Sequence, residues 1–363
     1  MTERLFNFGA GPAVLPLPVL EQMRDHLVAL PGVGMSVLEI SHRSAVFDEI
    51  LATAEMNIRA LAGISDDYHV LFLQGGATQQ FAMVPMNLLS ANGSADYVVT
   101  GSWAKKAATE AVKFGTVRIA ATTEPDNFTR VPDADEMDLD GSAAYVHLVS
   151  NNTIFGTEWP GMPDTGDVPL VVDASSNLFS RPVDVARHGL GLVYAGAQKN
   201  LGPAGVTLVI ARRDLVARAP SSLPTMMRYV TFAESGSLYN TPPVFAIYVV
   251  SLVTSWLRAQ GGLQVMSERN ERKAGKLYAQ IDASGFYHGT VAADCRSRMN
   301  VTFRLDTPDL DARFIAAAAD AGLAGLKGHR SVGGLRASIY NAFPEEGVDA
   351  LVSFMTEFER ING

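Results

Sequence analysis

Residues 190–210 read LGLVYAGAQKNLGPAGVTLVI, and they decide how the rest of the chain is interpreted. An apolar run at residues 190–194 is followed by small residues, by Lys199 and by a Gly-Pro turn. A second apolar run, residues 206–210, comes so soon afterwards that no crossover helix fits, so we expect it to return antiparallel. Lys199 therefore lies just beyond a buried strand, among side chains small enough for a flat ligand to approach the backbone.

The same pattern of short apolar runs extends through residues 16–220, where amphipathic stretches separate the runs. Further strand-like runs are residues 69–73, 97–100, 117–120, 145–149 and 169–172, and helical stretches include residues 79–89 and 103–114. Strands that are apolar throughout are buried on both faces, and their alternation with helices indicates a mostly parallel sheet. We predict an α/β fold, with a large domain built on a mostly parallel, seven-stranded-type sheet flanked by helices.

The C-terminal part of the chain has a different pattern. After Pro242-Pro243, a long helical region is expected to run through Trp256 to about Ala283. From Met299 the pattern becomes strand, helix, strand, helix, which indicates a smaller α+β domain. We therefore predict a large domain of residues 16–257 and a small domain of residues 1–15 and 258–363.

Composition excludes several classes of function. The 363 residues are 47% hydrophobic and carry a net charge of -9, which argues against non-specific nucleic-acid binding but not against an anionic small molecule held by local Arg residues. The single cysteine, Cys295, allows neither a disulfide nor a Cys-based zinc site within the chain. No secretory signal and no apolar run long enough for a membrane span are present. We expect a cytoplasmic protein without a metal, nucleic-acid or membrane partner.

A carboxylate stands in a position comparable to that of Lys199. Asp173 ends the apolar run 169–172, and ligands of open parallel sheets bind at the carboxyl ends of strands. Pyridoxal 5'-phosphate (PLP) requires a lysine at its aldehyde and a carboxylate at its pyridine nitrogen. Asp173 could alternatively cap a helix, and Lys199 could be an ordinary turn lysine.

Three further strand ends offer groups that suit the same cofactor. Gly75-Gly76 lies between a strand and a helix, where free backbone N–H groups bind an anion, and the spacing matches neither a P-loop nor a dinucleotide fingerprint. Trp103 could stack on a flat ring, and Thr153 could hydrogen-bond it. Each feature alone has an ordinary structural explanation, whereas together they supply one anchor for each part of PLP.

Several motifs make the chain similar to a known family. They are residues 7–12 (NFGAGP), 41–44 (SHRS), 74–77 (QGGA), 194–205, 236–243 (GSLYNTPP) and 327–338 (KGHRSVGGLRAS). With these motifs the chain resembles, over essentially its whole length, the phosphoserine aminotransferases, which are fold-type-I PLP enzymes of aminotransferase class V. The resemblance implies reversible amino transfer between glutamate and 3-phosphohydroxypyruvate, giving O-phospho-L-serine and 2-oxoglutarate in serine biosynthesis. It also suggests activity on the phosphohydroxythreonine intermediate of pyridoxine biosynthesis.

The resemblance also implies roles for individual residues. Lys199 would bind the cofactor and move the substrate proton, Asp173 would pair with the pyridinium, and Trp103 would stack on the ring. The remaining cofactor contacts would come from Gly76, Ala77, Thr78, Thr153 and Gln198, and from Asn240 and Thr241 of the second subunit of a homodimer. Arg336 would hold the substrate α-carboxylate, and the distal anion would bind to His42, Arg43, His329 and Arg330. Thr78 stands where some members of the family carry Arg.

Two other functions are compatible with parts of this pattern. One is a different fold-type-I enzyme, such as an alanine–glyoxylate aminotransferase or a cysteine desulfurase. A desulfurase is disfavoured because it needs a catalytic cysteine, and Cys295 is the sole candidate. The other is a non-catalytic protein that has kept the fold, against which the retention of Lys199 and Asp173 argues.

Overall fold

The strand-like runs of the sequence form a seven-stranded β-sheet with two helical layers. The computed structural model describes residues 4–90, 92–183, 185 and 188–363. The strands within this part of the chain are β1 (Phe6–Asn7), β2 (Tyr68–Leu73), β3 (Ser94–Val99), β4 (Thr116–Thr122), β5 (Val146–Val149), β6 (Asn151–Asn152), β7 (Thr157–Glu158), β8 (Leu170–Asp173), β9 (Leu190–Gly196), β10 (Thr207–Arg212), β11 (His288–Gly289), β12 (Asn300–Arg304), β13 (Leu323–Ala324) and β14 (Leu335–Ser338). The large sheet has the order β2-β10-β9-β8-β5-β3-β4.

This sheet confirms the predicted α/β class. Strands β9, β8, β5, β3 and β4 are parallel to their neighbours, whereas β10 runs antiparallel to both β9 and β2. The pairing of Val209 with Tyr194 shows that the second apolar run does return antiparallel. The carboxyl ends of β5, β8 and β9 therefore meet at one edge of the sheet.

Helices cover both faces of the sheet. The α-helices of the described residues are α1 (Leu17–His26), α2 (Ala45–Ala62), α3 (Gly76–Leu88), α4 (Ser102–Ala111), α5 (Arg213–Val216), α6 (Tyr229–Glu234), α7 (Val244–Ala259), α8 (Gly262–Ala283), α9 (Pro308–Asp320) and α10 (Glu345–Asn362). On β2, Val70 and Phe72 pack in the core that contains α2 and α7, whereas Leu71 and Leu73 pack in the core that contains α3 and α4. This alternation explains why β2 carries apolar residues on both of its faces.

The long helical region predicted after Pro242-Pro243 consists of two helices, α7 and α8. Helices α7 and α8 are separate and meet at a bend of 83°. The break lies at Gly261 and Gly262, whose φ angles of 96° and 78° are left-handed conformations that favour glycine. The helical region and its end at Ala283 agree with the prediction, which did not include the break.

A second, three-stranded sheet lies in the C-terminal region, with the order β11-β12-β14. Its core includes side chains of α8, α9 and α10, together with Phe8 from the N-terminal segment. Strand β1 joins this region by pairing in parallel with β13. The buried Lys273 of α8 donates hydrogen bonds to the carbonyls of Ile339, Tyr340 and Phe343, which fixes the segment that follows β14. The predicted division at residues 16–257 stays a prediction.

The helices were also compared with the requirements of a membrane span. Within the described residues no single helix has both the length and the apolar character to cross a bilayer. Helices α7 and α8 meet the two criteria only when they are taken together, across their bend.

Candidate active site

A cavity of about 380 Å³ opens at the carboxyl ends of β5, β8 and β9. It brings together most of the residues that the sequence predicts to bind a cofactor or substrate. They are Gly76, Ala77, Thr78, Trp103, Thr153, Asp173, Gln198, Lys199, His329 and Arg336.

Lys199 extends from the turn after β9 toward β5. Its Nζ donates a hydrogen bond to Thr153 Oγ1 at 2.7 Å. Burial lowers the pKa of Lys199 to about 8; Asp173 opposes this shift and Arg336 reinforces it. A lysine with such a pKa provides a substantial fraction of neutral amine near physiological pH, which nucleophilic attack on an aldehyde requires.

Asp173 ends β8 and is almost completely buried, with 5% of its surface exposed. Its Oδ1 accepts a hydrogen bond from the backbone N–H of Ser175 at 2.9 Å. Burial raises the pKa of Asp173, while contacts with Ser175, Lys199 and Tyr194 act in the opposite direction. No helix begins at Asp173, so the alternative role as a helix cap does not apply.

The N-terminus of α3 forms another wall of the cavity. Gly75 and Gly76 have φ angles of 88° and 68°, which turn the chain sharply from β2 into the helix. The first N–H groups of a helix have no intrahelical acceptors and point out of its N-terminus. This wall therefore suits an anion such as a phosphate monoester.

Trp103 lies in the first turn of α4 beside the cavity. Its ring centroid is 6.5 Å from that of Phe81, and Lys106 Nζ is 4.4 Å from the Trp103 ring centroid. The indole Nε1 is buried and has no hydrogen-bond acceptor among the described residues. An indole in this position offers both a stacking surface and an unused donor.

Arg336 of β14 reaches the cavity from the C-terminal sheet. Its Nη1 donates to the carbonyl of Thr153 at 3.0 Å, so Thr153 contacts both Arg336 and Lys199. Burial lowers the pKa of Arg336, and no carboxylate within the described parts of the chain forms an ion pair with it. A partly buried guanidinium without an anion favours the binding of an anionic ligand.

Further cations surround the mouth of the cavity. His329 lines it and hydrogen-bonds Ser331 Oγ at 2.7 Å. Burial lowers the pKa of His329, and the positive charges of Arg336, Arg330 and Lys106 lower it further. Arg336, Arg330 and Lys106 therefore form a cationic group around His329, although the chain as a whole is acidic.

Some lining residues were missed by the sequence analysis. Ser175 and Ser176 lie two and three residues after Asp173, and this proximity could have identified them. Ala10 and Gly11 reach the cavity from the N-terminal segment. Phe81 also lines it, and nothing in a helical apolar pattern distinguishes such a residue from an ordinary core phenylalanine.

Other predicted site residues do not line the cavity of the single chain. Asn240 and Thr241 are exposed in the segment before α7. His42 and Arg43 lie just before α2, where His42 Nε2 is buried without a partner among the described residues. Arg330 is exposed beside His329.

Cys295 is buried and packs in the core around the large sheet. Burial raises its pKa, which disfavours the reactive thiolate. Cys295 is also absent from the lining of the cavity, so the structure gives no support to a cysteine desulfurase.

Comparison with known proteins decides the family. The sequence model of the family described as aminotransferase class-V matches residues 5–351. The chain belongs to the aminotransferase class-V family. A phosphoserine aminotransferase of Desulfatibacillum aliphaticivorans is 54% identical over the full length of both chains. The solved structure of the phosphoserine aminotransferase from Bacillus circulans subsp. alkalophilus covers both chains completely, with 52% identity and a TM-score of 0.97. A PLP-bound phosphoserine aminotransferase from Trichomonas vaginalis is 38% identical with a TM-score of 0.93, over 97% of this chain and 100% of its own.

This class-V aminotransferase is a PLP-dependent transaminase. The cavity fits the cofactor: it combines the Lys199 amine, the buried Asp173 carboxylate, the N-terminus of α3 and the indole N–H of Trp103, which has no acceptor in the described part of the chain. When bound, PLP withdraws electrons from the substrate Cα and so makes its proton removable.

Proposed function

We propose that this class-V aminotransferase transfers the amino group of glutamate to 3-phosphohydroxypyruvate, giving O-phospho-L-serine and 2-oxoglutarate in serine biosynthesis. The observation that carries the proposal is the arrangement of cations around the cavity. Arg336 lies inside it, and Arg330 and Lys106 lie near His329, which lines the cavity. Both amino acids of this reaction carry an α-carboxylate and a second, distal anion, and two separate cationic groups suit such molecules. The names of the relatives support the same substrate.

The proposal assigns a function to each part of the site. Lys199 would hold the cofactor aldehyde and move the proton between the substrate Cα and the cofactor. Asp173 would keep the pyridine nitrogen protonated, and Trp103 would stack on the ring. Gly76, Ala77 and Thr78 would bind the cofactor phosphate through the α3 N-terminus, with Thr153 and Gln198 beside the ring.

The test is a competition among amino acceptors. The purified protein with PLP is given glutamate and 3-phosphohydroxypyruvate, oxaloacetate or glyoxylate, and kcat/KM is measured for each acceptor. We expect a strong preference for the phosphorylated acceptor, because it alone presents a distal phosphate to the cations. A preference for glyoxylate would contradict the proposal and favour an alanine–glyoxylate type of enzyme.

The phosphohydroxythreonine intermediate of pyridoxine biosynthesis is proposed as a further substrate. It carries the same α-carboxylate and a distal phosphate, so the same two cationic groups suit it. Its oxidised keto form is offered in the same competition with glutamate as donor. Absence of transfer to this acceptor would restrict the enzyme to serine biosynthesis.

We also propose that the enzyme is a homodimer with shared sites, acting in the cytoplasm. Asn240 and Thr241 are exposed and lie outside the cavity of their own chain, so contacts with a cofactor phosphate require a second subunit. Exposed large apolar side chains are frequent between Leu17 and Met56, which supports an interface there. They are Leu17, Leu27, Val28, Met35, Leu38 and Met56. His42 and Arg43, also exposed in part, would join the distal anion site across that interface.

A further inference from the structure

A pair of buried polar residues lies behind the wall of the cavity that carries Asp173. His147 of β5 and Tyr194 of β9 are 1% and 0% exposed. His147 Nε2 and the Tyr194 hydroxyl are 2.9 Å apart. Buried polar groups of this kind cost stability unless they are hydrogen-bonded, so their partners indicate what they do.

Tyr194 connects this pair to the active site. Asp173 and Tyr194 are register partners on the adjacent parallel strands β8 and β9, so their side chains leave the same face of the sheet. Burial raises the pKa of Asp173, and the neighbouring Tyr194 side chain is one of the groups that act in the opposite direction and favour the carboxylate. The backbone N–H of Ser175 donates a hydrogen bond to the same carboxylate.

The protonation of His147 determines the direction of this chain of hydrogen bonds. Burial lowers the pKa of His147 to about 3, so the ring is neutral and carries one proton. Its Nδ1 is buried without a partner among the described residues, and its ring stacks on Tyr97 with centroids 4.8 Å apart. If Nδ1 carried the proton, Nε2 would accept a hydrogen bond from the Tyr194 hydroxyl. That hydroxyl could then not donate to Asp173.

With the proton on Nε2, one more hydrogen bond forms. His147 then donates to the Tyr194 oxygen, and the Tyr194 hydroxyl remains free to donate to the Asp173 carboxylate. That second bond is charge-assisted and therefore the stronger type. The favoured arrangement runs from His147 Nε2–H to Tyr194 O–H to Asp173.

We propose that Tyr194 and His147 are positioning residues that keep Asp173 ionised and directed at the pyridine nitrogen of PLP. The inference rests on the proposed role of Asp173. The other titratable groups around Tyr194, apart from Lys199 on the cavity side, are the phenols of Tyr97, Tyr145 and Tyr229. Burial raises the pKa of each phenol, so none of them supplies a charge that could replace this pair.

The test compares Tyr194→Phe with Tyr145→Phe. Tyr145 loses a buried hydroxyl of the same kind, one that pairs with Tyr97 at 2.8 Å and not with Asp173. PLP labelled with ¹⁵N in its ring reports by NMR whether the ring nitrogen is protonated. In Tyr194→Phe we expect the signal to move toward neutral pyridine, because a less stabilised carboxylate takes the proton, whereas Tyr145→Phe should match the unmodified enzyme.

Cofactor affinity provides a second readout, independent of activity. In Tyr194→Phe we expect the dissociation constant of PLP to rise roughly tenfold to a hundredfold, the usual effect of losing a hydrogen bond to a charged group. A PLP analogue with carbon in place of the ring nitrogen should show no such difference between Tyr194→Phe and the unmodified enzyme. Equal signals and equal affinities in Tyr194→Phe and Tyr145→Phe would overturn the proposal.

Two variants of His147 cover the case in which Tyr194→Phe does not fold. The side-chain amide of Gln can replace the Nε2–H donor, so His147→Gln should retain the ¹⁵N signal that His147→Met loses. Identical signals in both would also overturn the proposal. Asp173→Asn separates the failure of the proposed role of Asp173 from the failure of the proposed role of Tyr194 and His147. If this variant leaves the ring nitrogen protonated, the role of Asp173 itself is wrong. If it alone shifts the signal, only the role of Tyr194 and His147 is wrong.

Discussion

Lys199 has to be both close to a carboxylate and available as a neutral amine. Burial favours the neutral form more strongly than Asp173 favours the charged form, which leaves the pKa of Lys199 at about 8. We predict that covalent capture of PLP by the cofactor-free enzyme accelerates as the pH rises toward that value and then levels off. Because the folded-state pKa lies below the ordinary value of 10.5, the amine of Lys199 becomes neutral at a lower pH than the amine of a surface lysine would. Stopped-flow absorbance after PLP addition measures the rate.

The control for this prediction is Lys199→Ala. It should bind PLP without a covalent bond, and borohydride should fix no cofactor on it. A capture rate that keeps rising to the pKa of an ordinary lysine would show that the site does not lower the pKa of Lys199.

Arg336 and Arg330 are expected to act on different parts of the substrate. Arg336→Gln should lower kcat/KM for phosphoserine, glutamate and alanine alike, by roughly tenfold to a hundredfold, because all three carry the α-carboxylate. Arg330→Gln should affect phosphoserine and glutamate but not alanine, which has no distal anion. The measurement is kcat/KM for the three amino acids in both variants. If Arg330→Gln slows alanine as much as phosphoserine, the distal anion binds elsewhere.

The contribution of the Lys106 charge can be tested with the neighbouring Lys105 as a control. Lys106 lies over Trp103 and lowers the pKa of His329 along with nearby arginines, whereas Lys105 pairs with Glu124 at 2.5 Å on the exposed side of α4. We predict that Lys106→Gln lowers kcat/KM for phosphoserine a few fold, and that added salt removes the difference. Lys105→Gln makes the same change of charge one residue away and should have no effect. Equal losses in both variants would indicate a general effect of net charge.

Among the structural elements, the turn from β2 into α3 creates the cavity wall that we propose to bind the cofactor phosphate. Gly75 has a φ of 88°, and a Cβ there would collide with the side chain of Gln79. We predict that Gly75→Ala weakens PLP binding and lowers the Tm, since a left-handed conformation costs a non-glycine residue roughly 1–2 kcal/mol. PLP titration and thermal unfolding with and without cofactor measure both effects.

Gly141→Ala is the control for this substitution. No atom lies within 4 Å of a Cβ built at Gly141, and its φ is not in the left-handed region. It should leave cofactor affinity and Tm nearly unchanged. If Gly75→Ala behaves in the same way, the sharp turn is not required for the cofactor.

At the scale of the whole molecule, the proposed homodimer makes a complementation experiment possible. Lys199→Ala and the double variant Asn240→Ala/Thr241→Ala should each have little activity. If Asn240 and Thr241 act on the partner's site, a mixed dimer has one site with both defects and one with none. Activity should therefore return when the two proteins are unfolded and refolded together. Mixed dimers without recovered activity would show that the sites are not shared.

Much of the fold follows from local sequence. The runs that became β2, β5, β8 and β9 carry apolar residues on both faces because helices cover both faces of the sheet. The antiparallel return of β10 follows from a connection too short for a helix. The break between α7 and α8 was not predicted, because two glycines in sequence do not reveal that both adopt left-handed conformations.

The candidate site also contains some residues that local sequence predicts and some contacts that it does not. Lys199, Asp173, Trp103 and Thr153 could be predicted because parallel strands bring their carboxyl ends to one edge, so position along the sequence indicates position in the cavity. Arg336 came from family resemblance, since 183 residues separate it from Thr153, whose carbonyl it binds. The sequence by itself determined the strand-end chemistry, because that depends on local periodicity. Only the tertiary structure decided that Arg336 meets Thr153 and that Tyr194 meets His147, because these contacts depend on packing between segments whose separation in sequence carries no periodic signal.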